Sequence, residues 1–388
     1  MLMQTTFNAI KRVITPWRWY VRIYVLWIVV GVIFPIIHRA PLQEPQTVQT
    51  VNPQMCVHTD LKDEVDEWKI QHSLQLVREM GASTIVEFFP WAYFEPQEDQ
   101  YRWFQADRII RHAQNQGLTI IARLGLVPDW ARPDNTTLNY LPPESYADFT
   151  EFAADFASRY ADVVSDIIIW NEPNLAFEWG FQPVNPQNYV DLLAMVYPAL
   201  HTANPDITVH AGALAPTLEP EGSPHGLNDL RYLELMYEAG ADQYFDALAV
   251  HSYGLTAPHD DTSAPDALNF RRTELVREMM NRFDDADTPV YITESGWNDD
   301  PRWTKSVRPS QRISYTLGAF EWAQQHQEWV NALCVWVLRY PRPTGNYPDN
   351  WTLITPEFQL KPIYYALQSY ARGWEQEIDS LWLPPPTE

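Results

Sequence analysis

Two glutamates stand where an apolar run stops and polar residues begin. In Ile167-Ile168-Ile169-Trp170-Asn171-Glu172-Pro173-Asn174 three branched residues and a Trp lead into the pair Asn171-Glu172. The stretch Val290-Tyr291-Ile292-Thr293-Glu294-Ser295-Gly296-Trp297 has the same shape. Runs of branched residues like these read as strands buried on both faces, and Pro173 ends the first because it has no N–H for a ladder. Two carboxyl groups that face each other can divide the cleavage of an acetal between them. One donates a proton to the leaving oxygen while the other attacks or activates water. Two acids held close also resist ionising together, which favours a protonated donor beside an ionised partner.

The rest of the chain narrows the setting. The formal net charge of -23 argues against nucleic acid and anionic lipid headgroups as partners. Seventeen Trp and an aromatic fraction of 14% suit a large core, loop platforms for the apolar faces of sugar rings, or both. The 32 Pro, mostly between elements, indicate long stiffened loops. Cys56 and Cys334 fit no metal or redox spacing, and the ten His are scattered, so no required metal or cofactor is expected.

Elements that could position the two acids follow from residue 55 onward. Strand candidates fall at 55–59, 83–90, 118–125, 166–172, 207–213, 245–253, 289–295 and 332–339. Between them run segments with 3.6-residue periodicity, such as Tyr189, Leu192, Leu193, Val196, Tyr197 and Leu200, started by Asn185-Pro186 and ended by Asn204-Pro205. Gly117 and Gly240 sit where helix C-caps belong. Eight strand–helix units over 55–380 predict an α/β fold, a (β/α)8 TIM barrel, with the acids at the carboxyl ends of its strands. No Gly-rich phosphate loop follows the first strand, which argues against a doubly wound sheet.

Ahead of the barrel, the uncharged run Ile23 to Ile37 follows Lys11, Arg12, Arg18 and Arg22 and is flanked by Trp17, Trp19 and Tyr20. It reads as a membrane-anchor or signal helix within 1–40, an uncleaved anchor being favoured by the interfacial aromatics and the poor cleavage site. The basic side stays in the cytoplasm, which puts the barrel outside it, tethered to the cell membrane or secreted if the helix is cleaved. Residues 41–54 read as a linker and 381–388 as a Pro-rich tail.

Counting strands puts Glu172 on the fourth and Glu294 on the seventh. With Asn before the first and Ser-Gly-Trp after the second, the pattern resembles the retaining glycoside hydrolases of clan A. The resemblance implies an acid/base role for Glu172 and a nucleophile role for Glu294, the two held ~5 to 5.5 Å apart in retaining geometry. It also implies an oligo- or polysaccharide substrate. Asn171 would then meet the hydroxyl next to the reacting carbon. His251 and Tyr253, two apart on one strand, would enter the barrel together, with the Tyr hydroxyl donated to Glu294. Trp336 would form a stacking floor, and His58, Trp91 and Trp297 would line the same pocket. Trp91-Ala92-Tyr93-Phe94-Glu95-Pro96, followed by Tyr101-Arg102-Trp103, Asp107 and Pro128-Asp129-Trp130-Ala131, is similar to the xylosidase and iduronidase branch, family 39.

One departure from the clan is visible. Its members often carry an Arg on strand 2 that supports the nucleophile; here that region offers Glu87, and Arg123 lies on strand 3. A buried Glu87–Arg123 pair is therefore expected, with the reach of Arg123 to Glu294 left open. Cys56 and Cys334 fall on strands that meet when the barrel closes, yet neighbouring parallel strands rarely give good disulfide geometry, so two buried thiols are favoured over a bridge. A sugar-binding barrel without catalysis and a cell-surface interaction barrel remain as alternatives.

Overall fold

In a computed structural model that describes residues 45–374, eight parallel strands close in chain order, β1 against β8. They are β1 (Met55–His58), β2 (Thr84–Pro90), β3 (Thr119–Gly125), β4 (Val164–Ile169), β5 (Thr208–Leu214), β6 (Ala247–Tyr253), β7 (Val290–Gly296) and β8 (Val330–Val335). Eight helices alternate with them: α1 (Glu67–Met80), α2 (Phe104–Asn115), α3 (Tyr146–Arg159), α4 (Pro186–Ala203), α5 (Asp229–Glu238), α6 (Arg272–Arg282), α7 (Pro309–His326) and α8 (Pro362–Ala371). The expected barrel is thus present. The run 23–37 and the tail 381–388 lie outside the described residues, among which no helix is long and apolar enough to cross a membrane.

Alternation along each strand divides the core in two. Val86, Ile121, Ile168, Ala213, Ala249 and Ala332 meet inside the barrel, with Cys56 and Cys334. The residues just before four of these face the helices: Ile85, Ile120, Ile167 and Leu248 pack there with Phe149, Phe152 and Phe156 of α3 and Leu192, Leu193 and Val196 of α4. Strands buried on both faces have no polar face to show, hence their mainly apolar sequences. Local signals bound the helices. Pro186 opens α4, and the Asn185 side chain accepts the Gln187 N–H at 3.0 Å. Asn228 caps α5 by accepting from Leu230 and Arg231.

Residues 46–54, expected as linker, lie along the far end of the barrel from the strand-end acids. Gln46 donates its N–H to Asn115 O, Val51 to Ala371 O, and Asn52 Nδ2 to the Tyr370 hydroxyl. Gly117, just past α2 at φ 69°, is needed there: a Cβ would stand 1.9 Å from Gln46 O.

The cysteines correct the expectation of two thiols. Cys56 and Cys334 are register partners on β1 and β8, both side chains point inward, and they form a disulfide across the seam that closes the barrel. It closes a loop with a sequence separation of 278. Reduction should therefore cost about 2–4 kcal/mol and lower Tm by roughly 5 °C. Melting with and without reductant checks this, and two freely alkylated thiols in the unfolded, unreduced protein would refute the bridge.

Candidate active site

Local backbone irregularities aim the site. β4 was expected to run to residue 172 but ends at Ile169, because Trp170 (φ 73°) and Glu172 (φ 42°) take left-handed conformations uncommon for residues with a Cβ. The chain still holds to both neighbours, the Trp170 N–H on Leu124 O and the Glu172 N–H on Ala213 O. Trp170 turns out to pack on Phe149 and Trp179. In β7 the pairing passes from Val250↔Ile292 to His251↔Glu294, so Thr293 is an extra residue. Tyr291 faces inward, and simple alternation would aim Thr293 there; the irregularity turns Glu294 inward instead.

Around Glu294 the contacts are short. Arg123 Nη1 donates to Glu294 Oε1 at 2.6 Å and to Asn171 Oδ1 at 2.6 Å. The Tyr253 hydroxyl donates to Glu294 Oε2 at 2.6 Å. His251 Nδ1 shares a proton with Glu172 Oε1 at 2.7 Å and lies 3.6 Å from Glu294 Oε2. One oxygen of each glutamate and His251 Nδ1 or Nε2 all fall within 4.8 Å of one another. Such a trio could hold a cation, but the Arg123 guanidinium already supplies the counter-charge of Glu294.

These neighbours set the charges. Burial works against ionisation of Glu294, yet the adjoining positive charge and the Tyr253 hydrogen bond hold its carboxyl well below the usual range. His251 and Arg123 supply that charge, and burial with the same guanidinium pushes His58 down to about 3 and leaves it neutral. His58 donates Nδ1–H to Thr59 O at 2.7 Å, so its Nε2, 3.8 Å from Glu294 Oε1, presents a lone pair. Burial and the charges of Glu294 and Glu172 keep Tyr253 protonated, as a donor must be.

Arg123, Asn171, Glu172, His251, Tyr253, Glu294 and His58 thus come together. Trp336 is half-buried beside them, its ring 4.4 Å from His58 and its Nε1 donating to the Tyr340 hydroxyl at 3.1 Å. Trp91 and Trp297 do not join. Each follows a strand end and turns its ring outward: Trp91 is fully buried against Trp130, Phe149 and Phe152 and donates to Glu95, and Trp297 packs on Phe270 and Tyr315 and donates to Ala257 O. The Glu87–Arg123 pair is also absent. Val86 and Phe88 flank Glu87, and Val86 faces the interior, so Glu87 points outward, accepting from the Thr59 hydroxyl and the Leu61 and Lys62 N–H groups.

Two more residues of the site lie in the long aromatic loops after strands 4 and 8, whose sequence points to sugar contacts without singling out either one. Trp351, in the loop after β8, packs 5.0 Å from the Tyr253 ring. Glu178, in the loop after β4, lines a cavity with Asn171 and Arg123, and burial and the neighbouring Glu172 push its carboxyl up to about 7. Neither carries a periodic signal; Glu178 lies in Phe177-Glu178-Trp179, conspicuous only for its aromatics.

The raised glutamates set a pH dependence of stability. Burial pushes Glu87 up to about 7, as it does Glu178, whereas unfolded glutamates ionise near 4.5. Between these values the native chain holds protons that the unfolded chain has released, so stability falls as pH rises. His58 opposes this below 6.5, where the unfolded chain takes up a proton that the native one refuses. Two groups outweigh one, and Tm should fall by a few degrees from about pH 5 to 7.5. Calorimetry across that range checks the sign; a rising Tm would contradict it.

The closed barrel, with its carboxyl pair at the ends of the fourth and seventh strands, is similar in fold to known glycoside hydrolases. A family model described as Beta-galactosidase matches residues 62–133. A family 39 glycoside hydrolase from Bacteroides cellulosilyticus WH2 superposes with a TM-score of 0.65 at 20% identity, over 83% of this chain and 64% of that one, so the chain spans less than two thirds of that relative. A monomeric beta-xylosidase from Caulobacter crescentus CB15 gives 0.61 at 18% identity, over 82% and 69%. GH5_18 from Streptomyces cattleya, solved in complex with GlcNAc, gives 0.64 at 17%, over 84% and 82%. No curated protein matches the chain. At these identities the shared property is the fold.

Proposed function

We propose that the chain is a retaining glycoside hydrolase that cleaves an O-glycosidic bond by double displacement. The observation that carries the proposal is the pair itself: Glu172 and Glu294 present oxygens within 4.8 Å of each other, one bonded to an imidazole and the other to a guanidinium and a phenol. In the first step Glu294, ionised and fixed by Arg123 and Tyr253, attacks the anomeric carbon as Glu172 gives its proton to the departing oxygen. The bond to the leaving group breaks and a glycosyl ester on Glu294 forms. In the second, Glu172 takes a proton from water, the water oxygen attacks the same carbon, and the ester carboxylate leaves. The His251–Glu172 hydrogen bond at 2.7 Å holds the carboxyl in place through both steps. Asn171, held by Arg123, meets the hydroxyl beside the reacting carbon, while His58 Nε2 accepts a sugar O–H and Trp336 stacks on the ring.

The substrate is an oligo- or polysaccharide outside the cytoplasm, with the barrel tethered through 23–37 at the cell membrane. The Cys56–Cys334 bridge supports export, since such bonds persist in oxidising compartments. Protease added to intact cells should digest the 41–388 region, and its survival there would contradict export. For the activity, a panel of aryl glycosides and polysaccharides should give turnover that Glu294→Gln abolishes; no turnover on the panel would favour a sugar-binding barrel.

A further inference from the structure

Beside Asn171 a cavity of about 210 Å3 opens between the ends of β2 and β3 and the loop after β4. Phe88 and Trp170 give it apolar walls; Arg123, Asn139, Asn171 and Glu178 give it polar ones. Asn171 Oδ1 accepts from Arg123 at 2.6 Å, which leaves its two N–H groups as the donors the amide offers the cavity. One of these meets the Glu178 carboxyl, which Asn139 Nδ2 also approaches at 3.4 Å. The loop carrying Glu178 is pinned where it passes the strand end, with Trp170 Nε1 donating to Glu178 O at 2.9 Å.

A sugar hydroxyl is at once acceptor and donor. On the reading given above, the hydroxyl on the carbon next to the reacting one accepts from Asn171. Its own hydrogen then needs an acceptor on the same side. Arg123 has no lone pair, Phe88 and Trp170 offer none, Asn171 Oδ1 already accepts from Arg123, and the Asn139 amide oxygen is a weaker acceptor than the Glu178 carboxyl. We propose that Glu178 is a specificity-determining residue for this reaction, accepting that hydroxyl's hydrogen while orienting the Asn171 amide that donates to its oxygen. The contact selects sugars with a free hydroxyl at this carbon over those lacking one, because a deoxy substrate leaves both Asn171 and Glu178 unmatched in a half-buried cavity. Ionised Glu178 accepts more strongly than its protonated form, so the preference should grow as pH rises through the neutral range where this carboxyl titrates.

The test compares kcat/KM for an aryl glycoside and its 2-deoxy analogue, in the wild type, Glu178→Gln and Glu178→Leu. The ratio for one enzyme cancels ionisations that act on both substrates alike. Glu178→Leu should lose about 100-fold on the hydroxylated substrate and less than about threefold on the 2-deoxy one. Glu178→Gln keeps an acceptor and the Asn171 contact, so it should retain most of the preference but lose its rise between pH 6 and 8. Equal losses on both substrates in the Leu variant would overturn the proposal. So would a wild-type ratio that is flat with pH, or one whose rise survives in Glu178→Gln; these two need only the Gln variant should the Leu one fail to fold. Failure of the underlying reading looks different: the wild type turns over neither substrate, or Glu294→Ala turns over both.

Discussion

Glu172→Ala should cripple hydrolysis of natural linkages, by about 10^2 to 10^4-fold, yet leave attack on dinitrophenyl-type glycosides nearly intact. Removing the acid spares the nucleophile: Glu294 keeps its Arg123 and Tyr253 bonds, and a leaving group that departs without a proton needs no donor. The glycosyl ester should then persist, because the same carboxyl activates water in the second step. Azide needs no base, so it should restore turnover and give a product of retained configuration. Glu294→Ala removes the nucleophile, and no leaving group compensates. Its loss should reach about 10^4-fold or more on every substrate, with azide giving the inverted product. That variant also strands Arg123, a buried cation whose other polar contact is Asn171 Oδ1, so Glu294→Gln, which keeps an oxygen acceptor, belongs beside it. Reversed responses of the two glutamates would exchange their roles, and undiminished activity in both would remove the pair from the chemistry.

Arg123 should be the most sensitive position after the carboxyl pair. Its guanidinium fixes the charge and orientation of Glu294 and holds Asn171 with the same nitrogen. Arg123→Gln should lower kcat/KM by about 10^2 to 10^3-fold, the range seen when one donor to a developing or essential charge is lost from a desolvated site. The pH profile separates this from a folding defect. Glu294 must be ionised to attack, so activity falls below its pKa; without the guanidinium, one of the groups that offset burial is lost and that pKa rises. The acid limb of kcat/KM should therefore move to higher pH in Arg123→Gln, and by less in Tyr253→Phe, which loses a neutral donor. An unmoved acid limb in the Arg123 variant would show that the guanidinium does not set the charge of Glu294.

What the sequence disclosed and what it hid follow from the same geometry. All eight strands were legible because each is buried on both faces over most of its length and is mainly apolar, so Glu172 and Glu294 could be assigned to strands 4 and 7 by counting. Inward or outward facing was harder, since it depends on the parity at which each strand enters the closed barrel. That is why Glu87, one residue from inward-facing Val86, was paired with Arg123 while it in fact serves the loop after β1. The same parity brings Cys56 and Cys334 face to face. The left-handed residues at the end of β4 and the extra residue in β7 aim the two acids, and neither has a marker in residue type. Trp91 and Trp297 resembled pocket residues because a Trp beyond a strand end looks alike whether its ring turns over the barrel mouth or toward the helices. Glu178 lay in a loop, where position depends on what the loop packs against.

Stereochemistry tests the account most directly. A wild-type hydrolysis followed by proton NMR in its first minutes, before the free sugar mutarotates, reveals the configuration at the carbon that was attacked. Two displacements through Glu294 predict a first-formed sugar with the same anomeric configuration as the substrate. A first-formed product of inverted configuration would mean a single displacement by water, and would contradict the assignment of Glu294 as nucleophile.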